Sequence, residues 1–258
     1  MGGNVIKFIK ILLCYFPCFL VSANQNVIIN DIHWPPYFMI NAQKEGTGLA
    51  KEVINLCLQG IGYQAKYQEL PVKRTHHFME VGEIDVTVYS YKKERNEILY
   101  YSKEVLFNSE YGFMVRTDSD IKIDKLDDLS PYVMGHLAGL SYTPELKKII
   151  DDKANIGEVV TGYSLKAMFA QLLSDIPRFE IMADSKQTFY WEAKKLGISD
   201  KIKVLDYSIK NKAYYITVSK NSNNIKNPNE FLDKIDACLR EIKHNGTYEK
   251  ILERYGIH

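Results

Sequence analysis

The sequence predicts an α/β fold with largely parallel sheets. Short runs of β-branched and aromatic residues alternate along the chain with segments of helical hydrophobic spacing, which is the pattern of βαβ units. The composition is that of a folded protein, with 46% hydrophobic and 25% charged residues in a chain of 258. That length suits one large domain or two lobes of roughly 100 residues each.

The charge balance and the missing motifs exclude several functions. The 33 basic and 32 acidic side chains give a net charge of +1, so the basic excess of a nucleic-acid-binding protein is absent. The sequence contains no phosphate-binding glycine loop, no zinc-protease motif and no nucleophile-elbow motif. Its six histidines lack metal-ligand spacing. We therefore expect no cofactor, no metal and no catalytic nucleophile.

The amino terminus has the pattern of a signal peptide. Lys7 and Lys10 precede the uncharged run 11–21, which ends in the small residues of Val21-Ser22-Ala23. That run is too short for a helix to span a bilayer of roughly 30 Å. We expect residues 1–23 to be removed after Ala23 and the mature protein to be exported to the periplasm. An uncleaved amino-terminal anchor is the alternative.

The first half of the chain contains three predicted strands and two predicted helices. The first helix has helical spacing as far as Leu58 and stops at the Gly60-Ile61-Gly62 segment, which is a helix-stop signal. A loop of aromatic and proline residues, Trp34-Pro35-Pro36-Tyr37, follows the first strand. The predicted elements are strands over 27–29, 63–69 and 84–88 and helices over 48–58 and 74–81.

The second half contains a connection and a second α/β unit. Residues 118–128 are rich in Asp and Lys and predict the connection. Thr143 and Pro144 are an N-cap and a first-turn residue that open a helix, and Ser164 is placed to cap another. The predicted elements are strands over 111–115, 132–135, 159–160, 179–183 and 214–219 and helices from 143 and over 165–173, 185–196, 229–243 and 247–254.

Two cysteines, Cys57 and Cys238, remain once the signal peptide is removed. Each lies on a helix with apolar periodicity, so we expect two buried thiols that pack as small hydrophobic groups. A disulfide in an oxidising compartment is the alternative, since sequence alone does not place the two Cβ atoms.

The order of several landmarks resembles the family 3 extracellular solute-binding proteins, which are periplasmic receptors that feed ABC transporters. The resemblance runs from about Val27 to Ile257. It implies a type II periplasmic-binding-protein-like fold, in which two α/β lobes close on a ligand in the cleft between them. It places residues 24–112 and 213–258 in lobe 1 and residues 113–212 in lobe 2, and it implies a monomer. The landmarks are Trp34-Pro35-Pro36-Tyr37, Gly48 to Val53, Gly82 to Thr87, Lys93-Glu94-Arg95, Gly139-Leu140-Ser141, Asp184, Asn245 to Tyr248 and Tyr255-Gly256.

The resemblance assigns ligand contacts to charged and hydroxyl residues. Arg95 matches the arginine that clamps an α-carboxylate, and Asp184 matches the acid that receives the ammonium group. Ser90 leaves the strand before Arg95, and Ser141 lies in the turn that would bind the carboxylate. Leu140 replaces a hydroxyl residue there, which departs from a standard amino-acid site. Arg95 could instead be a solvated surface group, and Asp184 could merely cap the next helix.

The remaining candidates are aromatic or charged. Trp34 aligns with the aromatic residue that stacks on the ligand, with Tyr37 close behind. Asp31 lies where receptors for cationic amino acids use an acid, although a strand-end Asp often caps a turn. Arg74 is a further basic group at the cleft mouth, or a surface residue at a helix start.

The sequence therefore predicts a periplasmic receptor rather than an enzyme. It would bind an amino acid or related carboxylate and deliver it to the membrane permease of an ABC transporter. One alternative is a periplasmic dehydratase on the same fold, which needs a cleft acid; Glu69, Glu94 and Glu110 look peripheral. Another is a stand-alone sensory receptor.

Overall fold

The computed structural model describes residues 25–40, 48–70, 72–138, 140 and 142–257. The predicted signal peptide lies outside these residues, as do Gly139 and Ser141 of the predicted carboxylate-binding turn. No helix within the described ranges is long and apolar enough to cross a membrane.

The described residues form one mixed sheet of eight strands in the order β2-β1-β3-β8-β4-β7-β5-β6. β1 is parallel to β2 and β3, and β5 is parallel to β6 and β7. The central pairs, β3 with β8, β8 with β4 and β4 with β7, are antiparallel. The strands are β1 (Gln25–Asp31), β2 (Tyr63–Glu69), β3 (Val86–Ser90), β4 (Leu99–Arg116), β5 (Met134–Leu137), β6 (Val159–Gly162), β7 (Ile181–Ser185) and β8 (Ile202–Ser219).

Helices cover both ends of this sheet. α1, α2, α6 and α7 belong to the end with β1 to β3, which is lobe 1, and α3, α4 and α5 belong to the end with β5 to β7, which is lobe 2. The helices are α1 (Leu49–Gly60), α2 (Val72–Glu80), α3 (Pro144–Asn155), α4 (Leu165–Leu172), α5 (Lys186–Leu196), α6 (Pro228–His244) and α7 (Thr247–Arg254). The predicted two-lobe α/β fold is confirmed.

β4 and β8 join the lobes. Each strand has 18 residues, and the two run antiparallel from Leu99 opposite Ser219 to Arg116 opposite Ile202. Their register shifts at several points, among them on either side of Gly112. The lobe boundaries predicted at residues 112/113 and 212/213 fall inside these two strands and stay a prediction.

Lobe 2 has apolar side chains on both faces of its strands. Phe113 and Val115 of β4 pack into one cluster, while Met114 between them packs into another. In β7, Ile181 and Met182 divide in the same way. Successive side chains on a strand point to opposite faces, so these strands are buried on both sides by helices.

Cys57 of α1 and Cys238 of α6 form a disulfide, with Cα atoms 5.6 Å apart. The expectation of two separate thiols is therefore wrong. Both helices pack on the core of lobe 1, which puts the two sulfurs within reach although 181 positions separate them in sequence. The bond closes a loop that contains the whole of lobe 2.

The helix caps agree with the sequence in part. Thr143 is the N-cap of α3, and its hydroxyl accepts a hydrogen bond of 3.3 Å from the amide of Leu146. Ser164 is the N-cap residue of α4, but its side chain accepts no capping hydrogen bond, so that part of the prediction is wrong.

Candidate functional site

Trp34 and Tyr37 lie on the side of lobe 1 that faces lobe 2. The half-buried Trp34 ring is 4.8 Å from both Tyr37 and Tyr214, centroid to centroid. Tyr37 is buried and stacks on Phe107 at 4.0 Å. Burial raises the pKa of the Tyr37 hydroxyl to about 12. Tyr37 is thus buried in the packing beneath Trp34, and Trp34 is the more accessible of the two rings.

The loop that carries both rings is fixed to the start of α1. The amides of Leu49 and Ala50 donate hydrogen bonds of 2.9 Å to the carbonyls of Pro36 and Tyr37. The loop therefore satisfies first-turn amides that would otherwise lack partners. Gly48 permits this approach: its φ is 107°, and a Cβ there would lie 2.4 Å from the Tyr37 carbonyl oxygen. The Pro35–Pro36 peptide is cis.

A group of buried hydroxyls lies where the two lobes meet. The Tyr111 hydroxyl of β4 is 3.2 Å from the Tyr214 hydroxyl of β8. Ser109 of β4 donates to the Ser185 hydroxyl at the end of β7, over 3.0 Å. Close by, Thr188 of α5 donates a hydrogen bond of 2.7 Å to the Trp34 loop. The hydroxyls come from lobe 2 and from the strands that join the lobes, and Thr188 binds the loop of lobe 1.

Asp184 is a buried carboxylate with no cationic partner among the described residues. It lies on β7 opposite Gly112 of β4, is 3% exposed, and accepts a hydrogen bond of 2.6 Å from the amide of Ser185. It forms no ion pair with any described residue. Burial raises its pKa to about 7. The N-cap of α5 is Ser185 and not Asp184, so a capping role does not explain this carboxylate.

Arg95 lies in a 3-10 turn, Lys93–Glu97, just after β3. Its guanidinium donates a hydrogen bond of 2.9 Å to the Ser90 carbonyl and lies 4.0 Å from the centroid of the Tyr89 ring. Arg95 is half-buried and forms no ion pair with the described residues. The two contacts hold the planar group in place while leaving its other donors available for an anion.

Arg95 and Asp184 both act electrostatically on one hydroxyl, that of Tyr214. Ser90 is the register partner of Tyr214, so the contact from Arg95 to Ser90 brings the guanidinium to that side. The pKa of Tyr214 is raised above its ordinary value, chiefly by burial; Arg95 lowers it and Asp184 raises it. A cation and an anion, neither in an ion pair with a described residue, therefore both act on the same buried hydroxyl.

Two predicted candidates do not join this group. The Asp31 carboxylate forms an ion pair of 2.7 Å with Lys51, and both side chains are buried. Arg74 is exposed on α2 and makes no ion pair or side-chain hydrogen bond with the described residues.

Leu140 is half-buried, and its amide donates to the Leu137 carbonyl over 3.4 Å. Ser141 lies outside the described residues.

Sequence reasoning missed the residues of the joining strands. Ser109, Tyr111, Lys212 and Tyr214 all lie on β4 or β8 and are buried. A polar or hydroxyl side chain at every second position of a strand, as at 109 and 111, is the signal that could have drawn attention to them.

The match to a family model covers most of the chain. Residues 27–258 match the model of the bacterial extracellular solute-binding proteins, family 3. The chain belongs to this family. No curated protein matches this family 3 chain significantly in sequence.

Solved structures share the fold of this family 3 protein at low sequence identity. An ancestral arginine-binding protein bound to arginine is 20% identical with a TM-score of 0.70, over 90% of this chain and 99% of that one. A histidine kinase sensor domain similar to periplasmic binding proteins is 14% identical with a TM-score of 0.69, over 91% and 96%. The substrate-binding protein of an amino acid ABC transporter is 16% identical with a TM-score of 0.63, over 89% and 98%.

Proposed function

We propose that this family 3 protein is a periplasmic receptor that captures an amino acid or related carboxylate and delivers it to an ABC transporter permease. The observation that carries the proposal is that Arg95 and Asp184, two opposite charges without ion-pair partners among the described residues, both act on the Tyr214 hydroxyl. A zwitterion satisfies both charges at once.

Each side chain has a role that its chemistry suits. The planar fork of Arg95 donates parallel hydrogen bonds to an α-carboxylate. Asp184 accepts from the ammonium group, and that cation favours the ionised form of the carboxyl. Trp34 packs on the apolar body of the solute. Ser90 supports Arg95 through its carbonyl, and Ser141 and the main chain of its turn complete the carboxylate contact.

The disulfide and the sequence of the amino terminus support a periplasmic location. Disulfides persist in oxidising compartments such as the bacterial periplasm, and Cys57 and Cys238 are joined. Export by the signal peptide over residues 1–23, with cleavage after Ala23, agrees with that location. The receptor acts as a monomer, with closed lobes presented to the permease.

Calorimetry with a panel of amino acids tests the proposal. We expect at least one amino acid to bind, and we expect Arg95→Gln and Asp184→Asn each to lower its affinity by about tenfold or more, because each loses a charged hydrogen bond. The matched controls are Arg178→Gln and Asp200→Asn, which change exposed residues and should leave the affinity unchanged. Full binding by Arg95→Gln, or turnover of prephenate or arogenate by the wild type, contradicts the proposal.

A sensory receptor is the second candidate, because a histidine kinase sensor domain is among the proteins with this fold. The ligand would be bound in the same way, but the closed protein would bind a membrane kinase instead of a transporter permease. Uptake of the labelled solute by cells with and without the gene separates the two. Loss of uptake in the deletion strain supports transport, and unchanged uptake with loss of a ligand-dependent transcriptional response supports sensing.

A further inference from the structure

Helix α5 of lobe 2 divides its side chains between the two lobes. Phe189 and Ala193 are buried in a core cluster of lobe 2. Trp191, which lies between them in sequence, packs instead against the core cluster of lobe 1. Residues two positions apart on a helix do not face the same side. α5 therefore lies between the two lobes and contacts both.

The Trp191 ring packs against the carboxyl-terminal segment of lobe 1. Its centroid is 5.6 Å from that of the Tyr255 ring, which directly follows α7. Tyr255 is buried, and its hydroxyl accepts a hydrogen bond of 3.2 Å from the amide of Gly48. Gly48 is also the residue that lies against the Trp34 loop. The contact between the lobes thus extends to the support of that loop.

A second contact from α5 reaches the Trp34 loop directly. The Thr188 hydroxyl donates a hydrogen bond of 2.7 Å to the Pro35 carbonyl. Thr188 and Trp191 are three positions apart, so they are neighbours on one side of the helix. α5 therefore joins lobe 2 to lobe 1 through one polar and one aromatic contact.

The aromatic contact is incompletely packed. A crevice of about 200 Å³ lies beside it, with residues of α5 on one side and residues 253–257 on the other. The Trp191 Nε1 atom is buried and donates no hydrogen bond to a described residue. Water would bind that N–H group once the lobes separate, which makes separation less costly. The contact is thus suited to favour closure without making it permanent.

We propose that Trp191 is a positioning residue that holds the two lobes together in the absence of a ligand, through its contact with Tyr255. This inference goes beyond the proposed function, because it concerns the ligand-free protein and does not depend on which solute binds. The contact shifts the equilibrium between separated and closed lobes toward the closed arrangement. A larger closed fraction raises the apparent affinity for any solute that binds only the closed form, and Trp191 need not touch that solute.

Small-angle X-ray scattering of the mature ligand-free protein tests the inference. Bound solute is first removed by unfolding in guanidinium chloride, dialysis and refolding with the disulfide intact. We expect Trp191→Ala to lower the ratio of closed to open molecules about tenfold, because an aromatic pair and its buried surface are lost, and to increase the radius of gyration. Trp191→Phe keeps a ring and should restore the compact form. The control Tyr163→Ala removes an exposed ring of lobe 2 and should leave the radius unchanged.

Fluorescence quenching gives a second readout that retains Trp191. The chain has two tryptophans, so Trp34→Phe leaves Trp191 as the single one. In that background we expect Tyr255→Leu to increase the quenching of Trp191 by acrylamide while the circular dichroism spectrum stays the same. Tyr255→Phe keeps the ring and should leave the quenching unchanged.

The outcomes separate this inference from the proposed function. Equal radii of gyration for Trp191→Ala and the wild type, or equal quenching with and without Tyr255→Leu, overturns the inference. Either result leaves the proposed function in place if calorimetry detects binding of an amino acid. The expected changes in radius and quenching, together with failure of every amino acid to bind, keep the inference and overturn the proposed function.

Discussion

Replacing Asp184 by Asn should make the ligand-free protein more stable at alkaline pH. The carboxyl is buried, its pKa is raised from 3.8 to about 7, and no described cation pairs with it. Such a rise makes the ionised form about 4 kcal/mol less favourable in the folded protein than in the unfolded chain. This value is an upper bound, because opening of the lobes would hydrate the group. An amide of the same shape keeps an oxygen for the Ser185 amide and carries no charge.

The pH dependence follows from which state holds the proton. Between about pH 4 and pH 7 the folded protein keeps the Asp184 proton that the unfolded chain releases, so stability from this group falls as pH rises. Below pH 4 both states are protonated, and above pH 7 the full cost is present. Asp184→Asn removes this dependence. We expect the variant to exceed the wild type by up to about 4 kcal/mol at pH 8 and to match it near pH 4.

Urea unfolding without ligand at the two pH values measures the difference. Circular dichroism and tryptophan fluorescence should give coincident transitions, so that a free energy of unfolding is defined. Asp200→Asn, an exposed substitution, should show no gain at either pH. A variant that is no more stable than the wild type at pH 8, or whose gain is the same at both pH values, would refute the reasoning. The gain in stability should accompany a loss of ligand affinity, which is a trade-off expected at functional sites.

Three further outcomes concern the framework around the site. The double variant Cys57→Ala with Cys238→Ala should lose about 5 kcal/mol of stability, because the bond closes a loop of 181 positions. A reductant should lower the urea midpoint of the wild type and not of the variant. Gly48→Ala should lower the free energy of unfolding by about 1–3 kcal/mol, since its φ of 107° and a clash with the loop carbonyl oppose a side chain. The control Gly60→Ala, whose added Cβ meets nothing within 4 Å, should leave the thermal unfolding nearly unchanged. Thr188→Val removes the hydrogen bond of 2.7 Å to the Trp34 loop and should weaken ligand binding by about tenfold, measured by calorimetry; unchanged affinity would show that this contact does not support closure.

The joining strands show why sequence located some elements only in part. The alternation of apolar side chains predicted a strand over 214–219, but β8 begins at Ile202. Its first half carries Lys203, Asp206 and Lys210, of which the first two are exposed. A strand with little buried surface has little hydrophobic pattern, and its pairing with β4 is what makes it a strand. By contrast β2 and α7 have the predicted bounds, because their patterns are local.

The residues of the candidate site likewise include some that the sequence predicted and some that it did not. Trp34, Arg95 and Asp184 follow recognisable local motifs, and the structure brings all three to the group around Tyr214. Tyr111 and Lys212 have no local motif, because their position depends on an antiparallel pairing between residues about a hundred positions apart. The disulfide escaped prediction for the same reason: its two helices meet only when the two segments of lobe 1 have assembled.

The ribbon of β4 and β8 connects the two lobes and also contributes side chains to the proposed binding region. In the proposed receptor it twists when the lobes close on a ligand, and its residues Tyr111, Lys212 and Tyr214 also line the proposed binding region. A substitution that adapts the protein to a new solute therefore also changes the resting angle and stiffness of the ribbon. Selectivity and the mechanical energy of closure cannot be adjusted independently, so a change of ligand should require compensating changes on both strands.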